Sequence, residues 1–338
     1  MARDRLARAM AETLINKVVI DIKSDPERGL RNIIDLALIV PRGKFSRNLF
    51  SIVQRILSDE DSAYYTLVKS VASDVDTEIL KKFTFNIGYN SCAYGARLIK
   101  SNKETMGLTA PWSIAINSAA SENDADTIKK LISEGKDLGV YLYLIYGENC
   151  INNYMREIYR ENEDCAFILF MDTNDLSDIS KVEGINNLLI SITNSDSKSL
   201  IEAADILHRY SKFFAFHIFY DDENIYKLLT PQELATAEDF TNSFVFYIPK
   251  DSCSKEACLK MKSYLRNLRD TQKYAYIPID LRGDLPEIDN TICEDSYSIC
   301  FRKDGKVSTS KGDISSKKYD ISQCSLAEII NDLHSTLK

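Results

Sequence analysis

The stretch from residue 107 to residue 148, GLTAPWSIAINSAASENDADTIKKLISEGKDLGVYLYLIYGE, most limits the folds open to this chain. Residues 112–117 form a short apolar run. Ser121, Asn123 and Asp124 follow as helix N-cap candidates, and Ile128, Leu131, Ile132 and Leu138 recur on a helical period until Gly139 closes the segment. Residues 140–146 are almost continuously apolar, which a strand requires when both of its faces are covered. Strand, helix and covered strand make a βαβ unit, and parallel strands need that kind of crossover.

The same beat repeats downstream. Strands are expected at 166–171, 188–193, 213–220, 244–249 and 276–281, with helices at 151–162, 199–210, 230–240 and 255–270 and a weak helical turn at 176–182. Such alternation predicts an α/β fold with helices outside a parallel sheet, either open or closed into a partial or complete barrel.

Residues 1–80 are helical in pattern. Leu6, Met10, Leu14 and Val18 share a face, Pro26 marks the start of a second helix, and Leu30, Ile33, Ile34, Leu36 and Ala37 continue an apolar face up to Pro41. Residues 45–57 and 63–71 add two amphipathic segments separated by SDEDS, a turn and cap. A bundle of about four helices is expected, acting as a packing cap. Residues 84–107, interrupted by Gly88 and Gly95, read as a connector whose Tyr89, Asn90 and Tyr94 pack an interface. After Asp289 a hairpin is expected, 297–302 and Val307 about a turn at Asp304 and Gly305, followed by a polar stretch and an amphipathic helix at 325–337. The division is a helical region with connector at 1–106, a βα region at 107–288 and a C-terminal extension at 289–338.

A net charge of -8 and a pI near 5.2 argue against a broad surface for nucleic acid or anionic membrane. Asp4, Glu12, Lys17 and Asp21 break up the first residues, so the apolar core of a signal peptide is missing, and no later run approaches a membrane span. A cytoplasmic protein with reduced cysteines is the expectation. Among the eight cysteines only Cys253 and Cys258 are closely spaced, and four intervening residues without a second pair or a neighbouring histidine make a loose metal signature. Cys165 and Cys300 lie in apolar contexts and read as inert thiols.

No GxGxxG, GxxxxGK[ST], HExxH or GxSxG pattern occurs. Glu148, Asp172, Thr193, Asp221 and Asp280 fall at expected C-terminal strand ends, where βα folds place ligands. His217, in FFAFHIFYDD ahead of Asp221 and Asp222, reads either as an acid–base group or as a histidine packed between Phe216 and Ile218. His208, late in a helix, meets the helix dipole.

Several pieces resemble the radical S-adenosylmethionine (radical SAM) superfamily, in particular a bacterial branch with a Pro-Trp lead-in to the first strand and a SPASM-like C-terminal hairpin. They are APWSIAIN (110–117), LISEGKDLGVYLYLIYGEN (131–149), CAFILFMDTNDL (165–176), LLISIT (188–193) and YSICFRKDGKV (297–307). The resemblance spans about residues 107–310 and implies a partial (β/α)6 TIM-like barrel behind the N-terminal helical region. Members of that family carry C-x3-C-x2-C after the first strand for a [4Fe-4S] cluster whose open iron chelates S-adenosylmethionine. Here Ser118, Ala119, Ala120, Ser121, Glu122 and Asn123 follow the strand, and none is a thiol. Cysteine sulfur holds such clusters, so the resemblance implies the fold without the reaction.

Other family positions are partly kept. The Gly-Gly-Glu-Pro that helps hold the methionine amino group is matched by Tyr146, Gly147, Glu148 and Asn149, so Gly147 and Glu148 survive. The third-strand Thr-Asn-Gly is matched loosely by Asp172, Thr173 and Asn174. Of the two cysteines that flank the hairpin where an auxiliary cluster is bound, Cys293 fits the first and Ser310 stands near the second.

The resemblance implies a catalytically degenerate radical-SAM-like protein, a pseudoenzyme that is a binding or accessory partner of an active radical SAM enzyme or a peptide. The alternative is a cluster-free enzyme or small-molecule binder that holds S-adenosylmethionine or a related nucleoside in the old pocket. A third reading is metal binding through Cys253 and Cys258, or Cys293 and Cys300. The expected pocket residues are Asn117, Ser118, Gly147, Glu148, Asp172, Asn174, Thr193, His217 and Asp280, with no catalytic residue, no metal and no resident cofactor. Protein or peptide partners are expected, nucleic acid and membrane are not, and a homo-oligomer stays open.

Overall fold

The structure, a computed structural model, describes residues 2–26, 28–29, 62–118, 122–193, 196–293, 298–302, 307–309, 312–314 and 319–337. The segments expected at 30–41 and 45–57, the cap candidate Ser121 and the turn at Asp304 and Gly305 lie outside the described residues.

In chain order the first described elements are α1 (Ala2–Ser24), α2 (Ala63–Asp74), α3 (Thr77–Phe85), a π-helical stretch (Asn86–Gly95) and α4 (Ala96–Met106). Next come β1 (Ser113–Ser118), α5 (Glu122–Leu138), β2 (Leu142–Gly147), α6 (Asn153–Glu161), β3 (Ala166–Asp172), a 3-10 stretch (Thr173–Val182), β4 (Leu188–Thr193) and α7 (Ser197–Arg209). Then follow β5 (Phe214–Tyr220), the short helices α8 (Ile225–Leu228) and α9 (Pro231–Thr236), β6 (Phe244–Pro249), α10 (Lys255–Thr271), β7 (Ile277–Asp280) and α11 (Leu281–Cys293). The chain closes with β8 (Ile299–Phe301), β9 (Val307–Thr309), β10 (Gly312–Ile314) and α12 (Leu326–Leu337). The fold class is α/β with mostly parallel strands. No helix of the described residues is long and apolar enough to cross a membrane.

The chain divides into two compact units. One comprises residues 1–81, 172–176 and 189–285, the other residues 82–171, 177–188 and 286–338. In the second, β8, β1, β2 and β3 run parallel in that order, and β9 and β10 continue antiparallel beyond β8. Register puts Ile114, Ile116, Tyr143, Ile145, Phe167 and Leu169 on one face, all buried. Helices cover that face. The Tyr143 hydroxyl donates to the Ile132 carbonyl of α5 at 3.2 Å, and the Phe167 ring sits 5.7 Å from Tyr143 and 4.8 Å from Tyr159 of α6. Each such side chain contributes about 1.5–3 kcal/mol through removal from water, which makes this face the unit's main core.

The expected connector at 84–107 is instead helical throughout. Its glycines do not break it. Gly95 lets the backbone approach the turn at Gly139, where an added Cβ would overlap the Gly139 carbonyl oxygen, and Gly139 itself has φ +99°. The wider π register belongs to a segment with buried polar side chains, Asn86, Asn90 and Ser91. Asn86 Nδ2 donates to the Glu163 and Cys165 carbonyls at 2.9 and 2.7 Å, and Asn90 Nδ2 to the Asp164 carbonyl at 2.8 Å. Asn187 donates to Tyr159, Asn162 and Cys165 carbonyls at 3.1, 3.0 and 3.1 Å. These amides satisfy carbonyls at the end of α6 and in the loop ahead of β3.

In the other unit β4, β5, β6 and β7 run parallel. Helix starts are capped as the sequence suggests: Asp196 accepts from Lys198 and Ser199, Thr230 from Glu233 with Pro231 in the first turn, and Ser254 from Ala257. Helix α2 crosses the N-terminal side of these strands. Asp76 N donates to the Ser211 carbonyl before β5 at 2.9 Å, and Ala63 N to the Gln272 carbonyl before β7 at 3.0 Å. Tyr64 and Leu67 pack there against Ala275 and Ile277. The packing role expected of the N-terminal helices thus holds for α2. Further elements of the described residues not expected from the pattern are α8, α11 after β7 and the polar strand β10.

Candidate functional site

In βα folds the C-terminal strand ends carry ligands, so each unit is taken from there. In the second unit the face of β1, β2 and β8 opposite the covered one carries Ala115, Asn117, Tyr146 and Cys300, all partly exposed. Asn117 and Tyr146 are register partners, and Ser118 stands opposite Gly147. The Tyr146 hydroxyl lies 2.5 Å from Cys300 Sγ, and the Asn117 side chain bonds it as well. Burial, reinforced by the Cys300 sulfur, holds the Tyr146 phenol well above its ordinary value, while Arg302 and Asn117 pull it down without reversing the shift. Tyr146 is therefore a neutral phenol at physiological pH. It can donate to Cys300 while accepting from Asn117.

The loop after β2 is tightly specified. Gly147 has φ +120° and Asn149 φ +59°, conformations that favour glycine and asparagine respectively. Cys150 Sγ donates to the Gly147 carbonyl at 3.3 Å, and the Tyr159 hydroxyl to the Cys150 carbonyl at 2.8 Å. Glu148 is thereby held at a fixed bend and exposed to solvent. Phenol, amide, thiol and guanidinium at adjacent strand ends can hydrogen-bond a polar small molecule.

The expected pocket residues of the other unit take structural places. Asp172 Oδ1 accepts from Asn174 N at 2.9 Å and Asn174 Nδ2 at 2.6 Å, which opens the following 3-10 stretch. Thr193 ends β4, half-buried. His217 lies in mid-strand, 2% exposed, with Nδ1 3.0 Å from Ser191 Oγ and its ring edge-on to Phe219 at 5.5 Å. Burial pushes its pKa down to about 3, so it is a neutral core histidine. Asp221 pairs with Lys250 at 2.6 Å, and Asp222 accepts from Ser254 N at 2.8 Å.

Asp280 is the N-cap of α11. Its Oδ1 accepts from Arg282 N at 3.1 Å, and Asp284, paired with Arg269 at 2.8 Å, reaches back to Asp280 N at 2.8 Å. Burial raises the Asp280 carboxyl to about 6, the Gly283 and Arg282 amides oppose this, and the Asp284 charge adds to it. Tyr220 lies beside it, its phenol raised by burial and by the Asp280 charge. His208 pairs with Asp74 at 3.8 Å. Among the described residues no group of three or more His, Cys, Asp and Glu could hold a metal ion.

Tyr146, Cys300 and Arg302 were absent from the sequence-based set. The signal lay in alternation, since Ile299 and Phe301 are buried and Cys300 must point the other way. A scan against protein-family models finds no family that matches this chain, and a search of curated proteins finds no match either.

Proposed function

We propose that this chain is a degenerate relative of the radical SAM enzymes, a partial (β/α)6 barrel that has given up the cluster reaction and acts as a binding or accessory partner, either of an active radical SAM enzyme or of a peptide. Tyr146 carries the reading. It occupies the position that matches the first glycine of the family's Gly-Gly-Glu-Pro, and its side chain projects on the sheet face opposite α5 and α6, already hydrogen-bonded to Cys300 and Asn117. A glycine there leaves room for the methionine amino group, whereas a tyrosine fills it. The loop after β1 supports the same reading, because Ser118 to Asn123 offers no thiolate to an iron–sulfur cluster.

A second reading, a cluster-free binder of small molecules, is favoured by the partial exposure of Asn117, Tyr146, Cys300 and Arg302. The two separate in a native pull-down with the tagged full chain, followed by crosslinking. The accessory reading expects a stoichiometric protein or peptide partner. A chain that runs alone, yet binds a nucleoside that Asn117→Ala weakens at least about tenfold, would replace it with the second reading.

A further inference from the structure

Neither reading uses a pair of thiols at the start of α10. Ser254 is the cap of that helix, with Oγ accepting from Ala257 N at 3.1 Å and Asp222 holding its amide. Cys253 immediately precedes the cap and Cys258 is the fourth helical residue. Those two positions face each other across a first turn and commonly hold an apolar staple. Here both are cysteine, and their sulfurs are 3.7 Å apart. Neither is disulfide-bonded, Cys253 is buried and Cys258 is partly exposed.

The geometry points to Cys253 and Cys258 as a redox-modification site, a dithiol that a low-molecular-weight disulfide of the glutathione class oxidises to a disulfide across the first turn of α10. The sulfurs need to approach from 3.7 Å to a bond length of about 2.05 Å, with the turn capped by Ser254 between them. Partial exposure makes Cys258 the sulfur that meets the oxidant. Its thiolate attacks one sulfur of glutathione disulfide, that S–S bond breaks, and one glutathione leaves as thiolate and takes up the proton Cys258 released. Cys253 then attacks the Cys258 sulfur of the mixed disulfide, and the second glutathione leaves with the Cys253 proton. Two protein thiols are oxidised by two electrons, and one glutathione disulfide is reduced to two thiols. Burial holds the Cys253 thiol above its ordinary value, so the mixed disulfide forms first at Cys258 and Cys253 closes the ring. Tyr220 neighbours the pair at the end of β5, so the change of sulfur chemistry is felt there.

The test is a redox titration of the full chain under argon in glutathione buffers of rising disulfide fraction, quenched by acid, alkylated after denaturation and mapped by mass spectrometry. Alkylatable thiols should fall from eight to six, the eight of the sequence less this pair, with the disulfide mapped to Cys253 and Cys258. That pair should react roughly tenfold or more ahead of any other cysteine. The Cys253→Ser chain should stop with one glutathione on Cys258. A purely packing pair gives other results: eight thiols that persist, cysteines that oxidise together without preference, or Cys253→Ser chains that take up no glutathione at Cys258. Any of these overturns the assignment, and Cys253→Val with Cys258→Val serves as the packing control.

Discussion

Lowering the pH should destabilise the unit that contains β5 through one side chain, His217. In the folded chain burial pushes its pKa down to about 3, against an ordinary 6.5 in the unfolded chain. Between those values the unfolded state binds a proton that the folded state refuses, so stability falls as pH falls. Each pH unit in the window contributes about 1.4 kcal/mol, and the descent from pH 7 to pH 4 removes about 3 kcal/mol. Replacing His217 by Phe abolishes this titration. It also strands the Ser191 hydroxyl, now bonded at 3.0 Å, at a pH-independent cost of about 1–3 kcal/mol. Wild type should exceed His217→Phe in stability at pH 7, and the difference should shrink or invert by pH 4. The sole tryptophan, Trp112, belongs to the other unit, so the assay is urea denaturation followed by circular dichroism, with hydrogen exchange of β5 peptides as the local probe. A difference that stays constant to within about 0.5 kcal/mol from pH 7 to pH 4 would refute the reasoning.

Asp280 works in the opposite direction. Its folded pKa, raised to about 6 from 3.8, favours folding below pH 3.8 and loses that contribution as pH rises through 6, so Asp280→Asn should stabilise the chain by up to about 3 kcal/mol at pH 7.5 and by little at pH 3.5, as urea midpoints at the two pH values would show. Gly95→Ala drives a methyl into the Gly139 carbonyl and should cost about 1–3 kcal/mol, read as a lower thermal midpoint; an unchanged midpoint would mean that the approach is looser than drawn. Asn187→Ala withdraws the amide from three carbonyls and should cost about 2–4 kcal/mol, with faster hydrogen exchange at the start of β3, and normal exchange there would count against the role given to that amide.

The seven parallel strands β1 to β7 were legible because each is a short apolar run covered on at least one face, and runs such as Leu188–Thr193 leave little choice of register. The segment at 84–107 was not. Its order comes from Asn86 and Asn90 donating to distant loop carbonyls, a tertiary cause that leaves no apolar period in the sequence. Helix α11 was hidden by Gly283 and Pro286, and its cap Asp280 consequently looked like a ligand group at a strand end. His217 is the reverse case, since its flanking Phe216 and Ile218 already suggested a packed histidine. The Tyr146 and Cys300 pair needed the pairing of β8 beside β1, which no local pattern in the C-terminal hairpin announces.

The proposed function is tested most sharply at the C-terminal ends of β1 and β2, by whether they bind S-adenosylmethionine. Calorimetric titration of anaerobically purified chain with that molecule, with iron and acid-labile sulfide assayed on the same sample, tests it most directly. With the Tyr146 side chain on the face beside Asn117 and no thiol among residues 118–123, the proposal predicts no heat of binding and no iron. Saturable binding together with about four irons and four sulfides per chain, the content of one [4Fe-4S] cluster, would contradict the account.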